Sequence, residues 1–156
     1  MAMKPNPSIR HHSRRANMPA IQDEASGWYQ GWYFDLRLEE ELARSARHHL
    51  PLTLLVLYVS EVNSSRDRWL LNELLSDAAR RKLRRTDIPA KFESDEYVVL
   101  LPQTAPHQAG VVIKRLATAF APYHVAFGVA SFPEDGEEAE QILAEAELRA
   151  HIADMT

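Results

Sequence analysis

The chain contains no cysteine and only five glycines among its 156 residues. The lack of cysteine excludes disulfides, thiolate nucleophiles and zinc sites built on thiolates. No apolar run approaches the roughly 20 residues that span a bilayer, and the first residues lack the apolar core of a signal peptide. We therefore expect a cytoplasmic protein without membrane insertion, of a length that fits one domain.

Acidic residues are absent from the first 22 positions, which carry four basic side chains and a formal charge of +4. This leaves −8 on residues 23–156. The basic residues are Lys4, Arg10, Arg14 and Arg15. A basic arm for nucleic acid or a membrane surface is one interpretation. Residues 1–22 have too little apolar surface to order themselves, so we expect a disordered leader and no nucleic-acid partner.

Beyond the leader, apolar residues follow helical and strand-like patterns. Phe34, Leu38 and Leu42 recur every four positions, as on the buried face of a helix. Residues 52–59 form a continuous apolar run, which is typical of a strand buried on both faces. The predicted elements are helix 34–48, strand 52–59, helix 67–85, strands 88–92 and 96–101, helix 105–120, strand 125–132 and a last helix around residues 142–150. Strands 88–92 and 96–101 are close enough in sequence to form a β-hairpin.

The connection within this hairpin carries the most informative motif of the chain. Arg84 and Asp87 form an Arg-x-x-Asp pattern that lies five residues before residues 93–97, whose sequence is Glu-Ser-Asp-Glu-Tyr. This arrangement resembles the signature of GGDEF domains, the fold of the diguanylate cyclases. In that family an Arg-x-x-Asp pair lies five residues before a Gly-Gly-Asp-Glu-Phe turn. The acidic pair of the turn is present here, whereas the two glycines are replaced.

The resemblance covers residues 23–153 and is carried by several further segments. These are residues 23–30, 38–57, 100–102, 127–130 and 133–136. The resemblance implies an α/β fold, a sandwich similar to the nucleotidyl-cyclase palm. In it, helices flank a central, mostly antiparallel sheet, and the signature motif lies on a β-hairpin. We therefore predict a leader at 1–22 followed by a degenerate GGDEF domain at 23–156.

The positions that the resemblance assigns to catalysis are altered. Tyr58 and Ser60 stand where the family has metal-binding aspartates, and Asp154 stands where it has a phosphate-binding lysine. Neutral hydroxyl groups are poor magnesium ligands. Glu93 places a negative charge where phosphates would lie, and the loop between residues 62 and 71 is about six residues shorter than the family's guanine-binding loop. We therefore predict no catalytic residue, no metal site and no cofactor.

The remaining acids of the turn, Asp95 and Glu96, are interpreted as vestigial catalytic residues. By contrast, Arg84 and Asp87 match the family's product-inhibition site, which binds cyclic di-GMP. They are three positions apart at the end of the predicted helix 67–85, so we expect them to lie close together on one helix face. An arginine fork can donate to guanine O6 and N7, and an aspartate can accept from the guanine N–H groups. Arg80 and Arg81 are additional candidates for contacts to the phosphates. The alternative is that these basic residues only favour the helix C-terminus.

The predicted function is that of a catalytically inactive receptor for cyclic di-GMP. It would act through an unidentified protein partner or a homodimer. A ligand-free interaction or dimerisation module on the same fold is the alternative. A residual nucleotidyl cyclase and a GTP-binding regulatory domain agree less well with Glu93 and the short loop.

A dense aromatic cluster at residues 28–34 is expected to cap the core or to contact a partner subunit, and a stacking platform is the alternative.

Overall fold

The structure, a computed structural model, describes residues 20–93 and 95–156. In these ranges the chain forms five strands and four helices. The strands are β1 (Tyr29–Gln30), β2 (Leu52–Val59), β3 (Ile88–Lys91), β4 (Glu96–Pro102) and β5 (Val125–Phe132). The helices are α1 (Gly31–His48), α2 (Ser65–Arg81), α3 (Pro106–Ala119) and α4 (Ala139–Asp154).

The strands form one sheet in the order β1-β3-β4-β2-β5. All neighbouring strands are antiparallel except β1 and β3, which run parallel. The register of β2 against β4 places Leu52 opposite Pro102 and Tyr58 opposite Glu96. The predicted mostly antiparallel sheet, its flanking helices and the hairpin formed by β3 and β4 are therefore confirmed.

The central strand β2 is buried on both faces, as its continuous apolar run predicted. Leu54 and Val56 pack in one hydrophobic cluster with residues of α1 and α4. Leu55 and Leu57 alternate with them and pack in a second cluster with residues of α2 and α3. Because each fully buried side chain of this size stabilises the fold by about 1.5–3 kcal/mol, these two layers account for much of the fold's stability.

The aromatic cluster before α1 is divided between core and surface. Trp28 and Phe34 are fully buried, and Trp28 Nε1 donates to the Leu75 carbonyl oxygen at 2.7 Å. This confirms that part of the cluster caps the core. Trp32 is 47% exposed, and its Nε1 donates to the Ala20 carbonyl oxygen at 3.2 Å. The first described residue is thereby attached to the start of α1.

Two sequence predictions about segment ends have different outcomes. Helix α2 ends at Arg81, four residues before the predicted end, because a turn closed by Asp87 follows it. The predicted leader falls mainly on residues 1–19, which lie outside the described residues. At the end of the predicted leader, Gln22 forms an antiparallel bridge with Tyr29.

No helix in residues 20–93 and 95–156 is long and apolar enough to cross a membrane.

Helix α4 lies directly on β5 at Gly128. A Cβ atom at this position would lie 1.9 Å from the Ala146 carbonyl oxygen and 2.3 Å from the Ala150 nitrogen. Both are backbone atoms of α4, so no side chain can rotate away to make room. The absence of a side chain at residue 128 is therefore a condition for this helix–strand contact.

We expect Gly128→Ala to lower the free energy of unfolding by about 2–3 kcal/mol, because overpacking forces α4 away from the sheet. Gly110→Ala is the matched control. Gly110 lies inside α3 with nothing within 4 Å of an added Cβ, so this change should raise stability by about 0.5–1 kcal/mol. Equilibrium urea unfolding of both variants measures the two effects. Equal free energies of unfolding for Gly128→Ala and Gly110→Ala would contradict the direct contact between α4 and β5.

Candidate functional site

The signature residues form the turn between β3 and β4. Glu96 N donates to the Glu93 carbonyl oxygen at 3.2 Å, and Phe92 N donates to the Glu96 carbonyl oxygen at 2.9 Å. Asp95 has a φ of 60°, a left-handed conformation that aspartate tolerates better than most residues. Its carbonyl oxygen accepts from Val59 N at 3.1 Å. The turn is thus tied to the end of β2.

A guanidinium group from α2 holds the Asp95 side chain. Arg68 donates from Nη1 to Asp95 Oδ1 and from Nη2 to Oδ2, the latter at 3.1 Å. Arg68 is placed there by the first turn of α2, where Ser64 and Asp67 form a capping box. Tyr123 also donates to Asp67, at 2.9 Å. Bidentate arginine–carboxylate pairs are among the stronger polar contacts in proteins, so the Asp95 carboxylate is already neutralised by a cation.

A cavity of about 980 Å³ lies beside the turn, and we call it the turn cleft. Among its described lining residues are six carboxylates but only two basic groups. Lys91 pairs with Asp23 at 3.9 Å, and Arg68 pairs with Asp95. Among the described residues, the other four carboxylates form no ion pair with lysine or arginine. The cleft is lined by Asp23, Gln30, Gly31, Trp32, Asp35, Arg68, Lys91, Phe92, Glu93, Asp95, Glu96, Leu143 and Glu147.

The residues around the turn do not fit the two metal ions that the family resemblance implies. Tyr58 and Ser60 offer only hydroxyl groups, and Ser60 Oγ donates to Asp154 Oδ1 at 3.2 Å. Asp95 is held by Arg68, which a divalent cation would have to displace. Magnesium prefers several hard, charged oxygen ligands. Within residues 20–93 and 95–156, no group of three or more acidic, histidine or cysteine side chains could hold a metal ion.

Glu96 is the most perturbed ionisable group of the cleft. Burial, and after it the nearby negative charge of Glu147, raises the pKa of its carboxyl to about 7. Its cross-strand neighbour Tyr58 has its pKa raised to about 12, chiefly by burial and then by the charge of Glu96. Glu96 Oε1 is buried without a hydrogen-bond partner among the described residues. Ionised Glu96 is therefore poorly compensated in the folded chain.

Arg84 and Asp87 lie at the other end of the hairpin and contact each other. Arg84 donates from Nε and Nη2 to Asp87 Oδ1, at 3.1 and 2.9 Å, and its backbone N donates to Oδ2 at 2.8 Å. Nη2 also donates to the Pro102 carbonyl oxygen at 2.9 Å and to Thr104 Oγ1 at 2.7 Å. This network joins the connection before β3 to the connection after β4.

The contact between Arg84 and Asp87 was predicted, but its setting was not. The sequence placed both residues on one helix face, whereas they lie in the turn after α2. That prediction was wrong because Asp87 bonds the Arg84 backbone and favours a turn over further helix. The Asp87 side chain is only 2% exposed, against 52% for Arg84. In this conformation Asp87 orients Arg84, and guanine N–H groups could reach its carboxylate only after a rearrangement.

A cavity of about 190 Å³ lies beside Arg84, and we call it the arginine cavity. Two basic residues share it with Arg84: Lys82 and Arg115, whose Nη1 donates to the Lys82 carbonyl oxygen at 3.3 Å. The predicted candidates Arg80 and Arg81 are not among its lining residues, and Arg81 pairs with Asp77 at 3.1 Å. Sequence reasoning missed Arg115, which lies far along the chain in α3. The arginine cavity is lined by Lys82, Arg84, Asp87, Gln103, Thr104, Gln108, Val111, Val112 and Arg115.

Residues 20–153 match the family described as diguanylate cyclase, GGDEF domain. Over 125 residues the chain is 28% identical to diguanylate cyclase DgcP of Pseudomonas aeruginosa, an alignment that covers 75% of this chain and 19% of that protein. The matched segments span between 12% and 31% of the length of these curated relatives. The chain is thus similar to one part of longer proteins.

Solved structures of GGDEF domains share the fold. The GGDEF domain of TpbB (YfiN) from Pseudomonas aeruginosa superimposes with a TM-score of 0.79 at 20% identity, covering 86% of this chain and 88% of that chain. The GGDEF domain of DgcB from Caulobacter crescentus, in complex with c-di-GMP, gives a TM-score of 0.76 at 12% identity, covering 89% of this chain and 90% of that chain. The fold class predicted from the sequence is confirmed.

The raised pKa of Glu96 generates a prediction about pH and stability. Between its ordinary pKa of 4.5 and about 7, the folded chain binds a proton more tightly than the unfolded chain. Stability should therefore fall as the pH rises through this window. We expect Glu96→Gln to remove this slope. The variant should be more stable than the wild type above pH 7, by roughly 1 kcal/mol, because water screens part of the effect.

Thermal or urea unfolding across this pH range measures the slope. Glu140→Gln is the control, since Glu140 is an exposed carboxylate on α4 outside the turn cleft. If the stabilities of the wild type and of Glu96→Gln change equally with pH, the pKa of Glu96 is not raised in the folded chain.

Proposed function

Because the chain belongs to the GGDEF domain family, we propose that it is a regulatory member that binds cyclic di-GMP and does not synthesise it. The proposed ligand site is the arginine cavity, and the turn cleft is the remnant of a catalytic site. Occupancy would be relayed to a protein partner or to a second copy of the chain. The relatives make cyclic di-GMP signalling the context in which this domain would act.

The pairing of Arg68 with Asp95 supports the absence of synthesis. Catalysis in this family would require metal ions to hold the GTP phosphates. Here the surviving carboxylate of the turn is bound by a guanidinium, and Tyr58 and Ser60 cannot replace the missing acids as charged ligands. The cleft also places carboxylates such as Glu93 and Glu147, which form no ion pair with a lysine or arginine of the described residues, where we expect a triphosphate to approach.

The convergence of three basic residues on the arginine cavity carries the ligand proposal. Arg84, Lys82 and Arg115 all line it. Asp87, the only acidic residue among its described lining residues, is 2% exposed and bound to Arg84. The accessible charge is therefore positive. Cyclic di-GMP offers two phosphates and two guanines, both of which arginine forks recognise well. Arg84 Nη1 makes no hydrogen bond within residues 20–93 and 95–156 and could donate to such a ligand.

A ligand-free interaction module is the second candidate, and one observation favours it. Arg84 Nε and Nη2 are already used by Asp87, Pro102 and Thr104. The same residues could therefore be kept for folding alone, with no ligand. Removal of Arg84 should therefore destabilise the fold. Without its partner, the buried carboxylate of Asp87 would be uncompensated, which is strongly destabilising.

We expect the purified chain to make no cyclic di-GMP from GTP with magnesium or manganese, because the metal positions lack charged ligands. Chromatographic analysis of the reaction mixture measures the product against a control without protein. Turnover above that control, abolished by Asp95→Ala, would show that the turn is still catalytic.

Arg115→Ala and Lys82→Ala should each weaken cyclic di-GMP binding by at least about tenfold, because a hydrogen bond to a charged group contributes about 1.5–3 kcal/mol. These residues test the site without exposing Asp87. Isothermal titration calorimetry with the wild type and each variant measures the affinities.

Arg80→Ala is the matched control for this titration, since it removes the same charge from an exposed position of α2 outside the arginine cavity. It should change the affinity less than threefold. An absence of binding by the wild type would favour the ligand-free module. Equal losses from all three variants would place the ligand elsewhere.

A further inference from the structure

One polar side chain near its start interrupts the apolar run of β2. Thr53 is fully buried between Leu52 and Leu54 of the same strand, and its partners across the sheet are Leu101 of β4 and Ser131 of β5. A buried hydroxyl costs free energy unless it is hydrogen-bonded. Valine has the same shape and would avoid this cost. The presence of threonine at this position therefore directs attention to the contacts of its hydroxyl.

The Thr53 hydroxyl joins two other parts of the chain. It donates to the Thr104 carbonyl oxygen at 2.7 Å and lies 2.9 Å from the Ser131 hydroxyl. Because a hydroxyl has a single hydrogen to donate, Thr53 is the donor to Thr104, and Ser131 is the donor to Thr53. Thr104 and Ser131 are buried as well. The directions of these two bonds are thus fixed, and Thr104 is the residue that Thr53 holds.

Thr104 in turn holds Arg84. Its Oγ1 accepts from Arg84 Nη2 at 2.7 Å and donates to the Pro102 carbonyl oxygen at 3.0 Å. The intervening Gln103 has a φ of 50°, a left-handed conformation that is unfavourable for most residues other than glycine. Such a conformation persists only where the surrounding contacts hold it. The hydrogen bond from Thr53 to the next residue is one of these contacts.

We propose that Thr53 is a positioning residue of the arginine cavity, which fixes the Arg84 guanidinium by way of Thr104. Nε and Nη2 of Arg84 are held by Asp87, Pro102 and Thr104, so the plane of the guanidinium is set. Thr53 is not among the residues that line the cavity, and it acts only through Thr104. Its effect on cyclic di-GMP rests on the function proposed above, whereas its effect on Arg84 does not.

The first measurement needs no ligand. Thr53→Val keeps the shape of the side chain and removes the hydroxyl, so the Thr104 carbonyl loses its donor. The exchange of the Arg84 Nε hydrogen with water, followed by nitrogen-15 magnetic resonance, should become at least about threefold faster because the guanidinium is held less firmly. The Arg115 Nε hydrogen in the same spectrum is the internal control and should keep its exchange rate.

The second measurement is the affinity for cyclic di-GMP by isothermal titration calorimetry. Thr53→Val should weaken binding by about three- to tenfold, as expected for one lost hydrogen bond. Thr53→Ser keeps the hydroxyl and should bind within about twofold of the wild type, although the loss of a buried methyl group lowers its stability. If Thr53 had only a structural role, the affinity would follow the stability and not the hydroxyl.

Ser131→Ala is the matched control for both measurements. It removes a second buried hydroxyl from the same network but leaves the bond from Thr53 to Thr104 in place. It should change the exchange at Arg84 and the affinity by less than about twofold. Urea unfolding of each variant gives its stability and shows that it is folded under the conditions of the titration.

Three results would overturn the proposal. They are unchanged exchange at Arg84 in Thr53→Val, equal effects of Thr53→Val and Ser131→Ala, and an affinity that Thr53→Ser lowers as much as Thr53→Val does. If the wild type binds no cyclic di-GMP, the function proposed above is wrong. Faster exchange at Arg84 in Thr53→Val, with normal exchange in Ser131→Ala, would still support the positioning role of Thr53.

Discussion

The register between β2 and β4 is the constraint on which both sites depend. It sets Tyr58 opposite Glu96 at one end of the sheet and Leu52 opposite Pro102 at the other. Glu96 of the first pair lines the turn cleft, and Pro102 of the second pair offers its carbonyl oxygen to Arg84. A slip of one residue would turn every side chain of β4 to the opposite face. The apolar layers on both sides of the sheet exclude such a slip, so core packing fixes the position of the polar groups at both ends.

The same hairpin separates two regions of opposite charge. Six residue steps along β2 correspond to roughly 20 Å, which is about two Debye lengths at physiological ionic strength. The carboxylates around Glu96 and the basic residues around Arg84 therefore hardly influence each other through solvent. Two ligands of opposite charge could bind this small domain without direct competition.

Local patterns in the sequence predicted the elements but not the long-range polar contacts. The bounds of β2 and β5 were predicted because the apolar run of β2 begins directly after Pro51 and the strand-like segment of β5 ends directly before Pro133. The end of α2 was not predicted correctly, because the turn at Asp87 stops a helix that the apolar spacing would continue. Arg68 and Asp95 are 27 positions apart, and Arg115 and Lys82 are 33 apart. No local pattern signals pairs at such distances, so the cation at the turn and the third basic residue of the arginine cavity were missed.

The missing side chain at Gly128 has a mechanical consequence for α4. A layer of side chains usually allows a packed helix to slide by a small distance across a sheet. At Gly128 no such layer separates the strand from Ala146 and Ala150, so the close contact holds the middle of the helix in register with β5. A partner that binds the exposed Leu148 or Ile152 would therefore meet a helix that resists translation along the strand.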